Sequence, residues 1–73
     1  IMKKIKKIKI KINGKFSMVN ENLSLSIFIK ELKIPLKKVA IELNQVIIDK
    51  NKTNKIKLKR NDKIEIVHFI GGG

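Results

Sequence analysis

The sequence predicts an α+β domain in which one helix packs across a small mixed sheet of four or five strands. Three observations predict it. Ile8, Ile10 and Ile12 alternate with Lys7, Lys9 and Lys11, and Ile64 and Ile66 alternate with Glu65 and Val67, the period-2 pattern of half-buried strands. Between these runs Leu25, Phe28, Ile29 and Leu32 fall at i, i+3, i+4 and i+7, one stripe of an amphipathic helix. Asn13-Gly14 directly follows the first strand, and that pair accepts positive φ at both central positions of a tight hairpin. At 73 residues there is room for one domain, expected over residues 1–70, with residues 71–73 as a flexible tail.

Each element has its own local cause. After the hairpin a second strand is expected over 16–19, with Phe16 and Met18 on one face, ending at Glu21-Asn22. Ser24 is a suitable N-cap for the helix, because its hydroxyl accepts from an orphan amide of the first turn. Pro35 stops the helix at or before Ile34, since proline disfavours the α conformation in the residue before it. Val39, Ile41 and Leu43 alternate as a third strand that ends at Asn44-Gln45. Val46-Ile47-Ile48 is a short apolar run suited to a minor strand, and the polar stretch 49–55 reads as a loop. Ile56 and Leu58 re-enter the apolar pattern before a turn at Arg60-Asn61-Asp62. The last strand is expected over 63–69, with Ile64, Ile66 and His68 on one face and Glu65, Val67 and Phe69 on the other. Hairpin, helix, strand, irregular connection and strand is the element order of the ubiquitin-like β-grasp, whose last strand runs beside and parallel to its first.

Composition excludes several functions. The net charge is +12, but Lys, Ile and Asn number 17, 15 and 7, and all three have A/T-rich codons, so genome bias accounts for the lysines. Only one of the 18 basic residues is arginine, the preferred reader of base edges, and three Phe with no Trp or Tyr are poor material for base stacking. No specific nucleic-acid partner is expected. No cysteine is present and His68 is the single histidine, so neither a thiolate nor a histidine metal site can form. No apolar run approaches the roughly 20 residues of a membrane span, and the expected setting is a bacterial cytoplasm or a plastid stroma.

Among single residues, His68 is expected to be a packed or hydrogen-bonded structural histidine rather than a proton carrier. Ser24 and Ser26 lack a neighbouring base. Glu42 and Glu65 are expected to face lysines across strands. The glycine cluster lies at the end with no helix after it, so it is not a phosphate-binding loop; no bound cofactor is expected, and any ATP is used on another protein.

Gly71-Gly72-Gly73 is the most distinctive segment. Glycines cannot join a core and their backbone is maximally free. The four residues from Ile70 to Gly73 extend at most about 13–14 Å, and such a thin peptide enters a cleft in which side chains would clash. Its carboxylate then reaches chemistry performed elsewhere.

The run Lys63-Ile64-Glu65-Ile66-Val67-His68-Phe69-Ile70-Gly71-Gly72-Gly73 closely resembles the C-terminus of the thiamine-biosynthesis sulfur carrier family (ThiS). Val39-Ala40-Ile41-Glu42-Leu43-Asn44 resembles that family's third strand, and the Asn13-Gly14 hairpin sits where the family has one. Three departures stand out: Gln45 where glycine is frequent, Asp49-Lys50 for a common Pro-Arg, and Asn61 for the usual turn glycine.

The resemblance implies a protein co-substrate, not an enzyme. An E1-like adenylyltransferase would activate the Gly73 carboxylate, and sulfur from a cysteine desulfurase or rhodanese-like donor would convert it to a thiocarboxylate. Thiazole synthase would then take the sulfur. Gly73 would be the acyl site and Gly71 and Gly72 clearance residues. Independently of the resemblance, Val67, Phe69, Ile70 and the Val46-Ile47-Ile48 run are expected either to leave an apolar docking surface near the chain exit or to close the core edge, on a carrier that is monomeric when free. Competing readings are the small subunit of molybdopterin synthase, a small basic RNA-binding domain and a protein modifier joined to lysines.

Overall fold

Alternation of isoleucine and lysine drives the first strand, and the computed structural model, which describes residues 5–69, shows it as β1 (Lys7–Ile12) with Ile8 and Ile10 buried. Asn13 (φ 48°) and Gly14 (φ 81°) both take left-handed backbone, the requirement of a two-residue hairpin whose twist matches its strands. The turn leads into β2 (Lys15–Asn20), antiparallel to β1 with Ile12 opposite Lys15 and Ile8 opposite Val19. That register puts Phe16 and Met18 opposite Lys11 and Lys9, on the face turned away from the core, where they are 66% and 57% exposed. Val19, of opposite parity, is the residue of β2 that enters the core.

The helix forms where its stripe predicts. Ser24 caps α1 (Leu25–Glu31), its Oγ accepting from the Ile27 N–H at 3.2 Å. Leu25, Phe28 and Ile29 are buried; Leu32, expected to complete the stripe, sits at the C-cap and is exposed. Lys33 (φ 59°) turns the chain out before Pro35, and a short 3₁₀ turn (Leu36–Lys38) delivers it to β3 (Val39–Leu43). A tight turn at Asn44-Gln45 joins β3 to the two-residue edge strand β4 (Val46–Ile47), whose successor Ile48 packs against the core.

The stretch expected to be a loop is instead a 3₁₀ helix, Lys50–Lys55. Asp49 Oδ1 accepts from the Asn51 N–H at 2.9 Å, and Thr53 donates its hydroxyl to the Lys50 carbonyl from a buried position. Capping side chains thus give a polar segment the local hydrogen bonds that apolar patterning does not announce. Beyond it, residues 56–58 lie against 23–25, with the Leu25 N–H donating to Ile56 and the Leu58 N–H to Leu23, both at 2.8 Å. Leu58 is fully buried beneath the helix start.

The final strand is β5 (Lys63–His68), one residue shorter than expected. It inserts between β1, to which it is parallel, and β3, to which it is antiparallel, giving the mixed order β2-β1-β5-β3-β4. One face of this five-stranded sheet meets α1 in a core of Ile8, Ile10, Ile41, Ile64 and their neighbours. Each such buried aliphatic side chain contributes on the order of 1.5–3 kcal/mol. The result is the β-grasp arrangement, a mixed sheet carrying one helix.

Candidate functional site: the exit of the last strand

β5 is the central strand, so its end is held from both sides. Ile64 and Ile66 point into the core at 0% and 6% exposure, and Ile66 pairs with Ile41 across β3. The last pair is His68 with Val39, after which the Phe69 N–H donates to the Lys38 carbonyl at 2.9 Å. The chain is therefore fixed up to Phe69. Ile70, Gly71, Gly72 and Gly73 lie outside the described residues.

His68 is exposed rather than packed. It has the parity of Ile64 and Ile66 but occupies the last position of the strand, opposite Val39. Of the two structural forms expected, the packed one does not occur.

Three of the residues expected to dock a partner do share one surface. Val67 and Phe69 alternate with the core positions and are each 57% exposed; Ile47 on β4 is 75% exposed. Val67 stands opposite Ala40, and Ile47 opposite Glu42, so the outer sheet face beside the chain exit carries these apolar groups in adjacent rows. Lys50 places its Nζ 4.8 Å from the centre of the Phe69 ring, tying the 3₁₀ helix to the strand end by a cation–π contact. Asp49-Lys50, a departure from the family pattern, thus caps the 3₁₀ helix with one residue and covers the exit aromatic with the other.

Glu42 and Glu65 do not face lysines. The β3–β5 register sets them directly opposite each other, and like charges so placed are mildly destabilising. Sequence alternation alone cannot settle this, because cross-strand partners depend on the register of two strands more than 20 residues apart.

The sequence places Asn13 and Asn44 at turns but gives no partner for their side chains, and those side chains hold the exit strand in place. Asn13 Oδ1 accepts from the Ile66 N–H at 2.7 Å, and Asn44 Oδ1 accepts from the Lys63 N–H at 2.9 Å. Asn44 Nδ2 donates to Asp62 Oδ1 at 3.0 Å, while Asp62 Oδ2 accepts from the Lys59 N–H at 2.7 Å. Asn61 takes φ 69°, the left-handed geometry expected of a turn glycine. Among the described residues no group of three metal-ligating side chains occurs, and no helix is long and apolar enough to cross a membrane.

The same arrangement is found in known proteins. A crystal structure of thiamine biosynthesis protein ThiS from Geobacter metallireducens superposes with a TM-score of 0.79 at 29% identity, covering 90% of this chain and 100% of that one. A solution structure of a thiamine biosynthesis protein from the same organism gives a TM-score of 0.72 at 29% identity, over 90% of this chain and 88% of that one. No curated protein sequence matches the chain. The model of the ThiS family matches residues 10–73, from the first strand through the three terminal glycines. With the order of its strands, the central position of β5 and the glycine run after it, this chain belongs to the ThiS family.

Proposed function

We propose that this protein carries sulfur as a thiocarboxylate on Gly73 for thiazole formation in thiamine biosynthesis. Membership of the ThiS family supports the sulfur-carrier role. The structural observation that carries the reading is the clamped end of β5: the fold is paired up to Phe69, and in the sequence the glycine run follows after the single residue Ile70.

A carboxylate is a poor acyl donor because oxide is a poor leaving group. On an E1-like adenylyltransferase, a Gly73 oxygen attacks the α-phosphorus of ATP and pyrophosphate departs, leaving an acyl-adenylate. The terminal sulfur of a persulfide on a cysteine desulfurase or rhodanese-like donor then attacks the carbonyl carbon, and AMP leaves with the electron pair of the broken C–O bond. A second thiol attacks the donor-side sulfur of the resulting acyl disulfide, so that the S–S bond breaks, the thiocarboxylate leaves and the two thiols end as a disulfide. Thiazole synthase takes the sulfur, and water supplies the oxygen that replaces it as the C–S bond breaks, which regenerates the carboxylate. The carrier's own part is steric and positional: Gly71 and Gly72 present no side chain to the cleft, and Val67, Phe69 and Ile47 form the apolar surface that docks beside it. ATP binds to the enzyme, and the carrier needs no cofactor of its own.

Pyrophosphate exchange tests the assignment. The wild-type chain is expected to support ATP–pyrophosphate exchange by the adenylyltransferase of the same organism, and removal of Gly73 or Gly72→Val to abolish it. Exchange at the wild-type rate with either variant contradicts the proposal.

A further inference from the structure

The outer face of the sheet sorts its charges. On the β1 side Lys11 stands opposite Lys63 in the parallel β1–β5 pair, with Lys9 two residues along, while on the β3 side Glu65 stands opposite Glu42. With 18 basic and 6 acidic residues, lysine beside lysine is what composition predicts; carboxylate opposite carboxylate is not. A face arranged for stability would set Lys against Glu, because like charges directly opposite are destabilising.

The positive half is also shaped. Lys9, Lys11, Lys63, Asn61 and Phe16 surround an open concavity of about 260 Å³ whose lining holds no carboxylate. Phe16 is 66% exposed at its rim, with the ammonium groups of Lys9 and Lys11 at 4.7 and 5.1 Å from its ring centre. These contacts gather the lysine heads over one spot instead of leaving them spread in solvent.

We propose that this concavity seats an acidic segment of the adenylating enzyme, while the apolar residues beside the exit strand form the neighbouring contact. The inference rests on the carrier reading and adds its electrostatic half. β5 contributes Lys63, Glu65 and Val67 to the one face, so a partner that takes the chain end from β5 covers the lysines, the carboxylates and the apolar patch together. The polarity of that face fixes orientation, since a partner rotated by half a turn would oppose its acidic segment to Glu42 and Glu65. Three features disfavour RNA as occupant: the concavity lacks arginine, lysine heads already lie over the Phe16 ring, and the adjoining carboxylates repel a phosphate backbone.

The test compares two triple variants with equal change of net charge. Lys9→Glu/Lys11→Glu/Lys63→Glu alters the concavity; Lys30→Glu/Lys52→Glu/Lys57→Glu alters exposed lysines that lie in no strand of the sheet. Affinity for the adenylyltransferase of the same organism is read by titration, with Tm as the control for folding. The concavity variant is expected to lose at least roughly tenfold in affinity and the control no more than about twofold. The single Lys11→Glu, which sets opposite charges across β1–β5, is expected to keep or raise Tm yet weaken binding several-fold. Equal losses in the two triple variants, or wild-type affinity in Lys11→Glu, overturn the proposal, as does tighter binding of a mixed-sequence RNA oligonucleotide than of the enzyme. A wild-type chain that the enzyme neither binds nor adenylates overturns the carrier reading and this proposal together.

Discussion

The side-chain oxygen of Asn13 accepts a hydrogen bond from the Ile66 N–H at 2.7 Å, joining the first hairpin turn to the middle of the last strand. The backbone explains why a side chain is used. The Lys11 N–H donates to the Asp62 carbonyl and the Asn13 N–H to the Ile64 carbonyl, each at 2.9 Å, the regular spacing of a parallel ladder. The next rung needs an acceptor where β1 has already turned away, and the Asn13 carboxamide supplies it.

Asn13→Gly keeps the positive φ of the turn and removes only that acceptor. It is expected to destabilise the fold by about 1–3 kcal/mol in urea denaturation, the cost of an unpaired backbone donor. Asn13→Ala should cost about 1 kcal/mol more, because alanine strains left-handed backbone. A glycine variant as stable as the wild type would remove Asn13 from the account of how β5 is held.

Gln45 sits at φ 70° beside Asn44 at φ 52° in the β3–β4 turn. A non-glycine residue in that geometry carries strain that glycine escapes. Gln45→Gly is expected to stabilise the protein by about 0.5–1 kcal/mol, raising Tm by several degrees in a thermal melt. A lower Tm would show that the glutamine side chain contributes contacts that offset its backbone cost.

Much of this architecture is legible in the sequence, and the exceptions share a cause. The Ile8–Ile12 alternation, the helix stripe with its Ser24 cap and the Val39–Leu43 strand all follow from periodicity within one segment. The face of Phe16 was also implicit: a two-residue turn at 13–14 sets Lys11 opposite Phe16, and the lysines of β1 face solvent. What periodicity could not reveal depends on register between distant segments, namely Glu42 against Glu65, Asn13 on Ile66 and Asn44 on Lys63. The 3₁₀ helix at 50–55 escaped because caps, not apolar spacing, create it. At the site, Val67, Phe69 and Ile47 were recognisable as apolar residues in excess of core need, whereas the lysine concavity arises only when β1, β2 and β5 are assembled.

Asp62 is nearly buried and accepts from both the Lys59 N–H and Asn44 Nδ2. Asp62→Ala removes two charge-assisted bonds and strands the Lys59 N–H in the turn before β5, and should cost about 2 kcal/mol or more by urea denaturation. A loss below about 0.5 kcal/mol would show that water replaces the carboxylate without penalty.

Ile47 and Val67 lie on the outer face with little to support in the core. Ile47→Gln/Val67→Gln is expected to change stability by no more than about 0.5 kcal/mol per site. Affinity for the adenylating enzyme should nevertheless fall at least roughly tenfold in a binding titration. Loss of stability with affinity retained would assign these residues to the fold instead of the docking surface.

The most direct measurement is the intact mass of the protein after incubation with its adenylating enzyme, ATP and a sulfur source. Sulfur carriage on Gly73 predicts the mass gain of one sulfur replacing one oxygen, located by fragmentation to the last residue and absent when Gly73 is removed. An unchanged mass, or a modification placed anywhere else in the chain, would contradict it.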